Sequence, residues 1–372
     1  MAIIRQYDET NFVTSLRALA AMMVVVIHTG AFTALGQIGS NITNAGKYGV
    51  EIFFVISGFS IAVTFRRAAS YHTFAIRRAF RIVPLYVFVI TSVFMLTRLR
   101  VLSENGWLLE FHSSLNAYNY LMHVFFVSCL DHRIANSILG VEWTIPIEVF
   151  WYAALPLILM KAQSRKHLTI AFVFAIAAIL VTKGLAYLFV TPHPGLFAKW
   201  LPTSYGPFFL LGVIAYQLRQ TDAGRMKTHA QAIVRVCIAM SIASLLLGLP
   251  GGRLVFSLST CLIIGLFEKR RHSVVARILE FKPFLYLGTI SYSVYLTHLP
   301  IATFLRQHPF LPEQSALATF LLTFAVTCGF STILYLLVEK PTNAWGSKVA
   351  GSKFVTRAGS RLSSMKIPVA SA

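Results

Sequence analysis

Four ionisable side chains stand inside apolar stretches of this 372-residue chain: His28, Glu51, Glu148 and His298. Ionisable residues are costly in an apolar medium and by default mark a functional site. A histidine beside a carboxylate is the arrangement that general-base chemistry requires, because the carboxylate fixes the imidazole tautomer and stabilises imidazolium. The residue types therefore predict His28 as a base, with Glu148 or Glu51 as its partner. The structural alternative is a hydrogen-bonded core histidine.

The stretch SLRALAAMMVVVIHTG, residues 15–30, carries a further charge in the same apolar run. Arg17 and His28 are 11 positions apart. On an α-helix this separation leaves them about 20° apart around the axis and about 16 Å apart along it. They are therefore expected on one face, at opposite ends. The alternative for Arg17 is an anchor whose charged head reaches the membrane surface.

A cluster of arginines follows in RRAFRIVP, residues 77–84. Arg77 and Arg81 share a helical face at i, i+4, and Arg78 and Arg81 are neighbours at i, i+3. Clustered guanidinium groups suit a phosphorylated ligand. The alternative is that they fix topology or contact lipid headgroups.

The composition indicates the medium in which these residues sit. Hydrophobic residues make up 56% of the chain and charged residues 12%, whereas soluble domains carry about 25% charge. Apolar runs near the length needed to cross a bilayer recur along the chain. We therefore predict an all-α polytopic membrane protein. The four scattered cysteines are interpreted as small hydrophobes, without a metal site or a disulfide framework.

The net charge of +20 can be interpreted in two ways. On a soluble protein it would suggest nucleic acid as a partner. Here Lys and Arg cluster in short loops between apolar runs, as cytoplasmic loops do. We therefore expect the lipid bilayer as a partner and no nucleic acid.

The hydropathy pattern and the distribution of positive charge together predict about ten transmembrane helices with both termini cytoplasmic. The segment 115–130 is apolar but short, and it is interpreted as a re-entrant or surface helix on the outer side. Residues 1–342 are predicted to form the transmembrane domain and residues 343–372 a disordered, basic cytoplasmic tail. The predicted spans are 12–34, 48–65, 82–97, 143–160, 168–190, 204–218, 231–249, 254–267, 284–305 and 315–338.

This topology places His28, Glu51, Glu148 and His298 at comparable depth in the outer half of the membrane, although they belong to four separate spans. Together they predict a polar chamber that opens toward the outside. Trp143 and Tyr152 flank Glu148 in sequence. They are expected, with His298, to shape the site of an acceptor.

These motifs resemble the bacterial acyltransferase family 3, integral-membrane O-acyltransferases of surface polysaccharides such as O-antigen and exopolysaccharide. Pro146 and Val149 depart from the family pattern, which has Ser and a second Glu there. The matching pieces, in the family's order, are RALAAMMVVVIH, GVEIFFVISGF, RRAFRIVPLY, WTIPIEVFWYAALPLIL, ISYSVYLTHLPI and LVEKP.

The resemblance implies a bacterial inner-membrane enzyme that transfers an acetyl or other short acyl group from cytoplasmic acyl-CoA to a carbohydrate hydroxyl. It implies His28 as the catalytic residue and Arg17, Arg78 and Arg81 at the donor, beside which we also place Arg77. Acyl-CoA, most simply acetyl-CoA, would be a co-substrate, with no cofactor bound permanently and no metal. Polysaccharide-biosynthesis machinery is a further candidate partner.

Two other functions fit the residues. The first is a proton-coupled transporter or flippase of a polysaccharide precursor, in which His and Glu relay protons. Such proteins usually contain internal repeats with broken helices, and none is visible in this sequence. The second is the other class of multi-span O-acyltransferases, for which activity would depend on His298 rather than His28.

Overall fold

The computed structural model describes residues 11–161, 164–220, 224–267, 274–308 and 315–352, and the regular structure in those ranges is helical. The first nine helices are α1 Asn11–Thr29, α2 Gly36–Ala45, α3 Gly49–Arg66, α4 Tyr71–Arg98, α5 Gly106–Glu110, α6 Ala117–Val124, α7 Thr144–Lys161, α8 Arg165–Phe189 and α9 Pro194–Trp200. The next eight are α10 Gly206–Gln220, α11 Gly224–Leu247, α12 Gly252–Leu266, α13 Val274–Leu279, α14 Lys282–Thr289, α15 Ser291–Gln307, α16 Ala316–Leu334 and α17 Lys340–Ala350. Short 3₁₀ turns lie at Thr33–Leu35, Gly46–Tyr48, Ser128–Leu130 and Pro202–Tyr205, and a π-helical turn at Tyr335–Glu339.

Seven helical segments within the described residues are long and apolar enough to cross a membrane. The protein is therefore an all-helical, multi-pass membrane protein, as predicted. The segment 115–130 contains the eight-residue α6, which at about 12 Å is too short to cross a hydrocarbon core of roughly 30 Å. The seven segments are Asn11–Thr29, Thr33–Arg66, Tyr71–Arg98, Thr144–Lys161, Lys166–Phe189, His229–Leu247 and Ala316–Ala350.

The predicted disordered tail was placed at residues 343–372, and its start is wrong. Residues 340–350 form α17, which packs against α4. The Trp345 ring meets the Phe80 ring edge-to-face with centroids 5.3 Å apart, and Gly346 and Ala350 are buried. The prediction of disorder rested on polar composition, which does not report that one face of this short helix packs against α4. Residues 353–372 of the predicted tail lie outside the described residues.

The chain divides into two compact units, the first comprising Met1–Phe59 and Leu211–Thr332 and the second Ser60–Leu210 and Ile333–Ala372. In the first unit, α1 packs against α13, α14 and α15, and α11 packs against α12. In the second unit, α4 packs against α6, α7 and α17. The first unit holds Arg17, His28, Glu51 and His298, and the second holds the remaining predicted site residues.

One buried carboxylate organises the segment between α6 and α7 in the second unit. Glu142 is fully buried and accepts hydrogen bonds from the backbone N–H groups of Ile138, Leu139 and Val141 at 2.7, 3.1 and 3.0 Å. His123 Nε2 lies 3.2 Å from the same carboxylate, and its Nδ1 donates to the Asn119 carbonyl. This set of contacts fixes the loop immediately before α7. Glu142 was not among the predicted site residues, although a glutamate inside VEWTIP, residues 141–146, was a recognisable signal.

We expect Gly288→Ala to destabilise the first unit. A Cβ atom at Gly288 would lie 1.9 Å from the Thr14 carbonyl oxygen, so α14 could no longer approach α1. Overpacking costs about 1–3 kcal/mol. Because this clash is with a backbone oxygen rather than a flexible side chain, we expect the upper part of that range, above the roughly 1 kcal/mol that alanine gains over glycine in a helix. Thermal unfolding of the detergent-solubilised protein measures the loss.

Gly329→Ala is the matched control, because Gly329 also lies in a helix and a Cβ there meets nothing within 4 Å. It should be neutral or slightly stabilising. Equal shifts in unfolding temperature for both variants would show that the close contact between α14 and Thr14 does not determine stability.

Candidate active site

His28 lies one residue before the end of α1. The helix ends there because Gly30 adopts φ +69°, a left-handed conformation that glycine adopts without steric cost. The carbonyl of His28 accepts a hydrogen bond from Arg306 Nη2 at 2.7 Å. Arg306, near the end of α15, therefore holds the backbone of His28 in place.

The His28 side chain contacts His298, which projects from the middle of α15. Nδ1 of His28 lies 3.0 Å from Nε2 of His298 and 2.9 Å from the Val24 carbonyl oxygen. Nδ1 of His298 lies 3.1 Å from the Val294 carbonyl and 2.8 Å from the Tyr295 carbonyl. His28 is half-buried and His298 is 1% exposed, so the second histidine lies behind the first.

These partners assign the tautomer of both rings. Carbonyl oxygens only accept, so Nδ1 of His298 must carry a proton, and its Nε2 in the neutral ring is an acceptor. Nδ1 of His28 therefore carries the proton that it donates to His298 and to Val24. The neutral His28 ring then has an unprotonated Nε2. Within the described residues, the hydrogen bonds of the His28 ring are at Nδ1. An imidazole held in this form can accept a proton from a substrate.

Glu51, one of the two carboxylates predicted beside His28, is engaged elsewhere. Its Oε1 accepts a hydrogen bond from Arg253 Nε at 2.7 Å, and Glu51 itself is 8% exposed. The orienting partner observed at His28 Nδ1 is a histidine. Sequence reasoning missed Arg253, although an arginine that opens the apolar run RLVFSLSTCLIIG was a recognisable signal.

Arg17 lies on α1, on the N-terminal side of His28, and is half-buried. The 11 positions between them correspond to about 16 Å of helix, as the sequence indicated. Its predicted contact with an acyl donor stays a prediction.

In the second unit, Arg78 points into the protein. Arg78 is 6% exposed, and its Nη2 donates to the Ser60 carbonyl at 3.0 Å and to the Thr64 hydroxyl. The guanidinium stacks over the rings of Phe74 and Tyr152, 5.5 and 5.1 Å from their centroids. Such buried cation–π contacts each contribute about 2 kcal/mol. Arg78 thus joins the end of α3 to α7.

Tyr152 connects this arginine to Glu148. The Tyr152 hydroxyl donates to Glu148 Oε1 at 2.6 Å, one helical turn away on α7. The second unit therefore brings three predicted site residues into one cluster, Glu148–Tyr152–Arg78. The pairing of Glu148 with His28 stays a prediction. Of the other two arginines on α4, Arg77 is exposed and Arg81 is half-buried.

Trp143 lies among aromatic side chains immediately before α7. Its ring centroid is 4.7 Å from that of Trp200 and 5.6 Å from that of Tyr205. Trp143 is half-buried and Trp200 is 3% exposed. Its predicted part in acceptor binding stays a prediction.

Comparison with known proteins decides the family. Residues 10–336 match the acyltransferase domain of family 3. The chain belongs to the acyltransferase 3 family. This confirms the resemblance drawn from the ordered motifs.

Several members of the acyltransferase 3 family are similar to this chain. O-acetyltransferase OatA of Staphylococcus aureus (strain NCTC 8325 / PS 47) is 24% identical over 359 residues, which cover 90% of this chain and 57% of OatA. YrhL of Bacillus subtilis (strain 168), provisionally named a peptidoglycan O-acetyltransferase, is 23% identical over 89% of this chain and 54% of its own length. Acyltransferase MdmB of Streptomyces mycarofaciens is 25% identical over 88% of this chain and 90% of MdmB.

The chain thus spans little more than half the length of OatA and YrhL. No solved structure matches it significantly.

Proposed function

We propose that this protein is a membrane O-acyltransferase that moves an acetyl or other short acyl group from cytoplasmic acyl-CoA to a carbohydrate hydroxyl. Family membership and the O-acetyltransferase names of OatA and YrhL support this activity. The observation that carries the proposal is the tautomer of His28, whose Nε2 is left as a base by the contacts at Nδ1.

The proposed reaction needs one proton acceptor and one proton donor, and His28 supplies both. As the acceptor hydroxyl oxygen attacks the thioester carbonyl, a C–O bond forms and Nε2 of His28 takes the hydroxyl proton. The C–S bond then breaks, and the imidazolium returns that proton to the departing thiolate of CoA. The products are an ester and the free thiol.

His298 acts in this proposal as a positioning residue. It accepts the Nδ1–H hydrogen bond of His28 and so keeps Nε2 free, as a carboxylate does in a catalytic triad. A neutral imidazole lacks the negative charge of a carboxylate, so it orients the base while stabilising imidazolium less strongly. The Val24 carbonyl dipole at 2.9 Å supplies part of that stabilisation.

Transfer of label tests the function directly. Purified protein in lipid bilayers is given acetyl-CoA labelled in the acetyl group, together with bacterial cell-wall carbohydrate. The expected result is label in an alkali-labile ester on the carbohydrate, absent with His28→Ala. Movement of labelled carbohydrate across the bilayer without acylation would favour the alternative, a proton-coupled transporter or flippase.

We predict that the arginines of α4 act in two different ways. Arg81→Ala should raise the apparent KM for acyl-CoA at an unchanged protein level, because a half-buried guanidinium remains able to reach phosphate. Arg78→Ala should lower the amount of folded protein, because hydrogen bonds to a charged group contribute about 1.5–3 kcal/mol. Donor kinetics and detergent-resistant yield measure the two effects separately.

The exposed Arg77 serves as the matched comparison on the same helix. Arg77→Ala should leave yield unchanged and shift KM no more than Arg81→Ala. A normal yield for Arg78→Ala with a raised KM would place Arg78 at the donor instead.

We also propose ten transmembrane spans, with both termini cytoplasmic, in a bacterial inner membrane. Segregation of Lys and Arg supports this topology. Cysteines introduced at exposed positions test it, since Cys129, Cys237 and Cys261 are buried and Cys328 is half-buried. An impermeant maleimide should label a Glu104→Cys variant in intact spheroplasts and a Lys166→Cys variant after lysis. Labelling of Lys166→Cys from outside would contradict the topology.

A further inference from the structure

A cavity of about 610 Å³ lies in the second unit, within the segments predicted to be outside the membrane. Its volume falls in the range of roughly 300–1,000 Å³ typical of small-molecule sites. The residues that line it come from the end of α5, from α6, from the loop at 130–133, from the turn between α8 and α9, and from α9. They include the polar and aromatic side chains of Glu110, Phe111, Tyr118, Asp131, His132 and His193.

The charge of the cavity disfavours an anionic ligand. Asp131 is held by Arg133, with Arg133 Nε 3.0 Å from Oδ1 and Nη2 2.8 Å from Oδ2, so this pair cancels. Glu110 also lines the cavity, so the carboxylates and the guanidinium together sum to −1 at neutral pH. Burial lowers the pKa of His132, so that ring is neutral there. Phosphate or an acidic sugar would therefore meet a net negative charge, with the one guanidinium already paired to Asp131.

Three flat rings form one corner of the cavity. The rings of Phe111, His132 and His193 stand nearly perpendicular to one another, with centroid distances of 5.8, 5.5 and 5.7 Å. Trp107 Nε1 donates to the His132 carbonyl at 3.0 Å, which fixes the loop. The cavity therefore combines apolar ring faces with imidazole and carboxylate groups that hydrogen-bond to hydroxyls.

The backbone at the rim is strained in the way that binding sites often are. His112, which lines the cavity next to Phe111, adopts φ +47°, a left-handed conformation uncommon for residues other than glycine. Such conformations are strained and cluster at ligand sites.

Aromatic contacts connect this cavity to α7. Phe111 lies 4.6 Å from Trp107, Trp107 lies 5.4 Å from Trp200, and Trp200 lies 4.7 Å from Trp143, centroid to centroid. Trp143 directly precedes α7, which carries Glu148 and Tyr152. A ligand in the cavity is therefore joined by packed rings to the helix that bears predicted site residues.

We infer that this cavity binds an uncharged carbohydrate and is the acceptor-binding site of the protein. The inference rests on the proposed function, since it names where the carbohydrate is held. Sugar C–H faces would pack on the rings, and sugar hydroxyls would donate to Glu110 and exchange hydrogen bonds with the imidazoles. The net negative charge disfavours the donor in this cavity, because the phosphates of acyl-CoA are anionic.

A glycan array tests the inference on the full chain in detergent. The array carries uncharged oligosaccharides, among them N-acetylglucosamine and glucose oligomers, beside acidic ones such as galacturonic acid oligomers. We expect retention on uncharged glycans. Glu110→Gln and His193→Gln should each weaken it at least fivefold, because the first removes an exposed carboxylate and the second removes an exposed ring from the aromatic corner.

Glu104→Gln and His72→Gln are the matched controls, since both residues are exposed and lie outside the cavity lining. They should bind like the unchanged protein. Retention on acidic glycans alone, retention on none, or equal binding by all four variants would overturn the inference.

Acyl-transfer kinetics on the same preparations separate this inference from the proposed function. Cavity variants should raise the KM for the carbohydrate while leaving that for acyl-CoA unchanged. Unchanged carbohydrate KM with active enzyme would reject the cavity and leave the function standing. Glycan retention without any acyl transfer would reject the function and leave the cavity as a binding site.

Discussion

Replacing His28 with alanine should lower acyl transfer by about 10²–10⁴-fold, the usual contribution of a general base. A hydroxyl is a poor nucleophile at neutral pH, and in the proposed reaction Nε2 of His28 is the group that takes its proton. The fall should appear in kcat, because the imidazole acts on the transition state rather than on donor binding. Initial rates with labelled acetyl-CoA, measured at saturating donor, give the ratio.

The control for this variant is His308→Ala, which removes another histidine of the first unit at an exposed position. Its rate should match that of the unchanged protein, and acyl-CoA should bind equally to all three proteins. Near-full transfer by His28→Ala would remove His28 from the mechanism. The search would then move to His298, as in the other class of multi-span O-acyltransferases.

His298→Leu should lower acyl transfer about 10²-fold or more, although His298 does not touch the substrate in the proposed mechanism. The substitution removes the acceptor for Nδ1–H of His28, so the ring can rotate and its Nε2 loses its position. A misplacement of about 1 Å in a reacting group can cost 10² in rate. Steady-state kinetics of the single and double variants measure the effect.

Rescue separates a positioning role from a merely structural one. His298→Gln offers a carbonyl oxygen that can accept the same hydrogen bond, so it should retain more activity than His298→Leu at equal yield. The double variant His28→Ala/His298→Leu should be little worse than His28→Ala alone, because residues that act as one unit are not additive. Equal loss in His298→Gln and His298→Leu, with His28→Ala still active, would make His298 the base.

The apolar helices and the place of His28 in the first of them could be predicted from sequence, because both depend on local patterns. A run of apolar residues fixes a span, and the period of the α-helix places Arg17 and His28 on one face. The contact between His28 and His298 joins residues 270 positions apart. It depends on how α1 packs against α15, which no local pattern reports.

The burial and the partners of charged side chains were the features that the sequence predicted least well. Arg78 belongs to a cluster whose pattern equally suits phosphate binding and membrane topology, yet it is buried against Phe74 and Tyr152. Glu51 lies in a motif resembling the family's second helix, yet it pairs with Arg253, 202 positions away. In both cases one partner comes from a distant element, Tyr152 for Arg78 and Arg253 for Glu51, and it helps to stabilise a charge that would be costly to bury alone.

The partners of the histidine pair have a consequence for the path of protons through the membrane. Nδ1 of His298 faces two backbone carbonyls, which cannot take up a proton, so a proton received by His28 has no onward route through this pair. Rotation of the His28 ring would break its contacts with Val24 and His298 together. The proton taken at Nε2 must therefore leave from Nε2, on the side where it arrived. By this route each turnover would move no net proton between the two faces of the membrane, and the rate of acylation would be insensitive to the proton-motive force.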